Sequence, residues 1–293
     1  MLIRQPARAG TFYSASEQRC REELNECTAI APDPLDGRLI GGIVPHAGWR
    51  YSGKVAGRVF AAVASHRAPR TVVVFGAVHA VRGRQAAIFS SGCWETPIGL
   101  VEVDGRLAER ILGHTNLLVD DAYAHEQEHS IEVQVPFIRH LLPGAMIVPI
   151  MVPANAQAAE VSESVARTIQ TYRADAVVVG STDLTHYGPS YGFTPQGTGA
   201  QGLAWAKEVN DCRMIQRMLA FDAHGVVSEA QGHRNACGGG AVAATIAAAR
   251  LLGADRAVLH EHTTSRDVTG DPSAADAVGY SGVVFLASDS PSA

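Results

Sequence analysis

The chain has 293 residues, of which 46% are apolar and 18% charged, with a net charge of −5 from 24 basic and 29 acidic residues. That balance suits a soluble protein with a sizeable core, and the lack of a basic block argues against nucleic acid as a partner. Five cysteines at irregular spacing, with no CxxC pair, exclude a disulfide framework and a zinc ribbon.

In chain order, Met1 to Ser14 has no apolar core segment and is not read as a signal peptide. Leu39 to Val44 reads as a strand. After it, Val55, Val59 and Val63 recur four apart and predict a helix. Thr71 to Phe75 is a β-branched strand ending at Gly76. Trp94 to Asp104 reads as turns and strand pieces, and Asp104 to Leu112 as a helix. Met146 to Val152 is a strand, followed by a helix with Asn155 as N-cap, running to about Tyr172. Ala176 to Val179 is the next strand. Residues 188–202 form a loop rich in Gly, Pro, Ser and Thr, with glycines that permit it to close over a cleft. Leu203 to Ala220 and Gly239 to Leu252 are predicted helices, and Cys20, Cys27 and Cys212 fall in helical patterns. Arg256 to His260 and Gly282 to Leu286 are late strands, and the tail from Ser288 should fray.

This alternation predicts an α/β fold: a single-domain sandwich over residues 1–293, ordered from about 5 to 287, with a largely parallel or mixed central sheet flanked by helices. The longest weakly polar stretch, 236–249, is too short to span a bilayer. No membrane association is expected, and the free cysteines fit a cytoplasmic location.

Four loops that follow apolar runs carry metal-capable side chains: His46 in Val44-Pro45-His46-Ala47-Gly48, His79 after Gly76-Ala77-Val78, Asp183 and His186 in Ser181-Thr182-Asp183-Leu184-Thr185-His186, and Cys237 before Gly238. Open α/β sheets build their sites beyond the carboxyl ends of strands, so one shared site is expected. Imidazole is the commonest neutral metal ligand. Cys237 precedes a predicted helix start, which favours a thiolate. Asp183 and His186, three apart, could face one cavity, with Asp183 orienting a ligand and His186 moving protons. His125-Glu126-Gln127-Glu128-His129 formally matches HExxH. Pro136 would disturb the long helix that motif needs, so no protease is read from it. His129 is kept as a proton-transfer residue lining the same cleft, along with Glu128 to Glu132. His66, His114, His140, His224, His260 and His262 are read as surface or structural.

These motifs, with Trp94-Glu95-Thr96-Pro97-Ile98-Gly99, Glu128-His129-Ser130-Ile131-Glu132-Val133-Gln134-Val135-Pro136-Phe137, Gly270-Asp271 and Val278-Gly279-Tyr280, occur in an order that resembles the Memo family (mediator of ErbB2-driven cell motility). Its prokaryotic members are called AmmeMemoRadiSam system protein B. The resemblance runs from about residue 5 to 287. It implies the LigB-like fold of class III extradiol dioxygenases, which hold non-haem Fe(II) with two histidines and a glutamate. It places the metal on His46, His79 and Cys237, with Asp183 and His186 as further polar cleft residues. It also implies a functional association with AMMECR1-like and radical SAM proteins. The chain departs from the family at Gly76-Ala77-Val78-His79-Ala80, where a polar neighbour is lost and outer hydrogen bonding to the ligand is put in doubt.

The resemblance makes Fe(II) the first expectation, and thiolate in place of carboxylate softens the site and widens the choice to copper or zinc. The functions open at this level are a metal-dependent oxidoreductase, a non-catalytic metal- or peptide-binding protein with a small-molecule or peptide ligand in the cleft, and a hydrolase or transferase with Cys237 as nucleophile.

Overall fold

The computed structural model describes residues 1–30, 34–79 and 85–288. Its centre is four parallel strands, in the order Arg38–Val44, Ala176–Ser181, Thr71–Gly76 and Met146–Met151. Their side chains alternate between two cores, as the pleat requires. Val73, Phe75, Val148, Ile150 and Val178 join the apolar cluster on one face. Val72, Val74, Ile147, Val177 and Val179 join the cluster on the other. Strands buried on both faces read as continuous β-branched runs, which is why they were legible in the sequence.

Antiparallel strands finish both sides. Ala277–Ala287 pairs with Arg38–Val44 on one side and Arg256–Thr264 on the other, and short His186–Tyr187 adds to it. Ala86–Ile88 and Leu118–Asp120 extend the opposite edge. Among the described residues the sheet has nine strands and is mixed, as expected. Helices Gly105–His114, Ala158–Thr171 and Gly239–Leu251 cover the first face, and Glu17–Thr28 and Trp49–His66 the second. A separate three-stranded sheet joins Ile3–Arg4, Cys93–Thr96 and Gly99–Glu102. No helix among the described residues is long and apolar enough to cross a membrane.

The small-residue character of Gly239–Leu251 has a packing cause. A Cβ on Gly240 would collide with the carbonyls of Val152 and Pro153, and one on Gly180 with the Thr245 side chain. The helix therefore lies close against the strand ends and brings Cys237, just before its start, to the parallel strands.

Three expectations need correction. Asn155 is not the helix N-cap: the helix is Ala158–Thr171, and Asn155 Oδ1 accepts from the Gln157 N–H (2.9 Å) in a turn ahead of it. The stretch 203–220 is not one regular helix. It runs as Ala200–Trp205, a π-helical turn Ala206–Asp211, and Cys212–Leu219. The extra residue per turn lets consecutive Asn210 and Asp211 both reach Thr185: Asn210 Nδ2 donates to its Oγ1 (3.0 Å), and its N–H donates to Asp211 Oδ1 (2.9 Å). No long helix runs through 125–134, as expected from Pro136, which lies in the first turn of Val135–Leu141, where its missing N–H is not needed. The late strands are longer than expected because each pairs along its length with the other. Residues 80 and 289–293, which entered the sequence reading, lie outside the described residues.

Candidate metal centre

Strand order explains the convergence. Ala176–Ser181 lies between Arg38–Val44 and Thr71–Gly76, so the loops carrying His46, Asp183 and His79 emerge side by side from the carboxyl end of the sheet. Cys237 reaches the same point from the opposite chain direction. The Cys237 N–H donates to the Asp183 carbonyl (3.2 Å), and the Asp183 N–H donates to Cys237 Sγ (3.3 Å). Cys237 Sγ lies 3.0 Å from His46 Nε2. Asp183 also fixes the His46 turn, accepting at Oδ1 from the N–H groups of His46 (2.7 Å) and Ala47 (3.2 Å).

Hydrogen bonding sets the tautomers of both histidines. The Ser181 hydroxyl donates to the Ser130 carbonyl (2.8 Å), so it accepts from His46 Nδ1 (2.9 Å). His79 Nδ1 donates to Glu128 Oε1 (2.9 Å). Both rings carry the proton on Nδ1, which leaves Nε2 to face the cleft. A carboxylate or hydroxyl behind the imidazole is the usual support of a metal-binding histidine.

One short segment, Glu128 to Gln134, organises the whole site through every second residue. Glu128 accepts from the His79 ring and backbone (2.9 and 2.8 Å). Ser130 Oγ accepts from the Ala77 N–H (2.9 Å). Glu132 accepts from Arg4 Nη1 (2.5 Å), the Ala7 and Arg8 N–H groups, and the Tyr13 hydroxyl. Gln134 Nε2 donates to the Pro45 carbonyl (2.8 Å) and Ser181 Oγ (3.2 Å). The polar neighbour missing beside His79 is thus replaced from Glu128 and Ser130. Sequence reasoning placed Glu128 in the cleft region but did not see its hold on His79; its place four residues before Glu132 in the 128–134 motif was the available signal.

Charge follows from burial and contact. Burial first, then His79 and His129, pushes His46 well below its usual range, so it is neutral and able to bind a cation. Burial would lower His79 too, but the Cys237 sulfur and Glu128 together outweigh it and raise the ring to about 10. Burial would raise Glu128, but His79 holds it well below the carboxylate range. Burial pushes the Cys237 thiol and the Asp183 carboxyl up. A buried sulfur, a buried carboxylate and a proton on the ring between them describe a place that stabilises positive charge.

Two triads of donor atoms, each mutually within 4.8 Å, share His46: His46, Asp183 and Cys237, and His46, His79 and His129. A divalent transition ion that displaces the protons held on the His79 ring and the Cys237 thiol would meet nitrogen and sulfur donors of the kind such ions take. His46, His79, His129 and Asp183 border a cleft of about 620 Å³. His186 lines it too, its Nδ1 bonded to the Leu184 carbonyl (3.1 Å) and its ring edge-on to Tyr191 (5.1 Å). Phe12, Tyr51, Tyr191 and Tyr280 form apolar walls, and Arg50 and Arg266 stand among the lining residues. Tyr191 comes from the predicted loop, as a short turn at Pro189–Tyr191.

The HExxH match dissolves in the structure. Its first histidine ends the short turn Tyr123–His125 and is sealed between Phe89 and Trp94 (5.9 and 5.8 Å between centroids), while His129 faces the cleft. Burial, then Arg4, lowers His125 to about 4. Between pH 6.5 and 4 the unfolded chain takes up this proton and the folded chain does not, so stability falls as pH drops through that window. Urea titrations at pH 7 and pH 5 should show it, His125 accounting for a share approaching 2 kcal/mol. His125→Phe should remove that share and leave the part that His46 and His129 contribute in the same sense.

A family profile described as Memo-like protein matches residues 4–284. A MEMO1 family protein of Methanothermobacter thermautotrophicus is 38% identical over 291 residues, covering 95% of this chain and 99% of the relative. One of Thermococcus kodakarensis is 37% identical over 293 residues, covering 97% and 99%. Among solved structures, an uncharacterized protein, JW3007, of Escherichia coli K12 superposes with a TM-score of 0.51 at 10% identity, covering 83% of this chain and 99% of that one; this likeness concerns the fold alone. With its motifs in order, its mixed α/β sheet, and relatives matched end to end, the chain belongs to the Memo-like protein family.

Proposed function

We propose that this chain is a metal-dependent oxidoreductase in which His46, His79 and Cys237 hold a divalent ion, Fe(II) in the first place, with copper or zinc as further candidates. The single observation carrying this reading is the orientation of the two imidazoles. Ser181 and Glu128 occupy their Nδ1 atoms, and the Nε2 of His46 faces the Cys237 sulfur at 3.0 Å. Such an ion, when bound, supplies Lewis acidity and, for iron or copper, a change of oxidation state.

The chain's own residues would do the rest. Asp183 keeps the His46 turn and the Cys237 loop in register through its carboxylate and backbone. His186 presents Nε2 toward the cleft, since its Nδ1 is committed to the Leu184 carbonyl, and would take or give a proton there. His129 is held near 4 by burial and by His79, so it is neutral and could accept one. Phe12, Tyr51 and Tyr191 would exclude water from a small organic ligand.

The test is metal content of anaerobically purified protein beside Cys237→Ser and His79→Ala. Stoichiometric metal in the parent, lost in both variants, is expected; unchanged content in the variants would refute the assignment. A second reading rests on the same 3.0 Å approach: Cys237 as nucleophile with His46 as base. Activity that survives chelation but is lost on alkylation of Cys237 would select it.

A further inference from the structure

We infer that His129 is a fourth donor to the ion, giving three imidazoles and one sulfur. The inference rests on the metal reading above and extends it. The side-chain nitrogens of His46, His79 and His129 lie within 4.8 Å of one another, as tight a group as the one containing Cys237. The three rings pack as a unit, with centroids 5.1 Å apart for His46 and His79, 5.3 Å for His46 and His129, and 4.7 Å for His79 and His129.

The difference between them is commitment. His46 and His79 each have one nitrogen taken by Ser181 or Glu128. Among the described residues no hydrogen bond reaches a ring nitrogen of His129; Glu128 Oε1 stands 3.7 Å from Nδ1, beyond bonding distance. A half-buried imidazole thus faces two oriented imidazoles. Its placement is also held from both sides. The His129 N–H donates to Glu128 Oε1 (2.9 Å), the same oxygen that orients His79, and Phe12 closes the far face of the ring at 5.0 Å.

Donor atoms around a four-coordinate ion with nitrogen and sulfur ligands at about 2.0 and 2.3 Å lie some 3.3 to 3.6 Å apart. The two triads share His46, so a single ion bound by all four would draw His79 and His129 toward Cys237. On this reading His129 acts in proton transfer only when released from the ion, and His186 is the standing base.

The test is X-ray absorption of the zinc-loaded full chain, with zinc affinity measured by competition, for the parent and for His129→Ala and His129→Asn. Three imidazoles and one sulfur are expected in the parent. Two imidazoles and one sulfur, with affinity at least tenfold weaker, are expected in both variants. Two imidazoles in the parent, or variants with the same coordination and affinity within twofold, would overturn the fourth donor while leaving the His46, His79 and Cys237 site intact. No zinc bound to the parent would overturn this inference together with the metal reading.

Discussion

Arg4→Met is expected to lower the unfolding free energy by about 3–5 kcal/mol, the cost of stripping one partner from a buried ion pair. Arg4 and Glu132 are each 2% exposed at the side chain, and their ion pair is 2.5 Å long. The same guanidinium donates to the carbonyls of His125 and Glu128 (3.0 and 2.8 Å). A methionine would fill much of the volume but leave the Glu132 carboxylate without its charge partner and those carbonyls without a donor. Chemical denaturation reads the effect, and a change under about 1 kcal/mol would show that the node is dispensable. Arg4→Met combined with Glu132→Gln should cost less than the two single changes summed, because the second removes the stranded charge. Loosening this node should also disturb the cleft, since Glu132 anchors the N-terminal segment that places Phe12 beside His129.

The second large effect falls on metal affinity. Glu128→Gln is expected to weaken binding of the divalent ion by about 10- to 100-fold without unfolding the chain. The carboxylate accepts from the His79 ring, and from the N–H groups of His79, His129 and Ser130. A glutamine can keep part of that geometry, but it cannot supply the negative charge that makes His79 a stronger donor. Competition titration against a chromophoric chelator measures this. Affinity within threefold of the parent would mean that His79 does not depend on Glu128. The affinity of the parent should rise with pH, because the Cys237 thiol must lose its proton to bind.

The strands were readable because the parallel ones are buried on both faces and so are uniformly apolar. The four loops were readable because metal-capable residues follow those strands at once. The partners that make the loops a site were not. Glu128 meets His79 across 49 positions, and Arg4 meets Glu132 across 128; no local periodicity encodes such pairs. The π-helical turn at Ala206–Asp211 was invisible for the same reason, because it exists to aim Asn210 and Asp211 at Thr185, some 25 residues away. Pro136 was a readable limit: no long helix precedes it, and the helix begins at Val135 with the proline in its first turn.

The most direct test of the account is the absorption spectrum of the Co(II)-loaded chain. A near-ultraviolet sulfur-to-cobalt charge-transfer band, present in the parent and absent from Cys237→Ser, is the predicted result. Bound Co(II) with no such band, or a band that survives in Cys237→Ser, would contradict it.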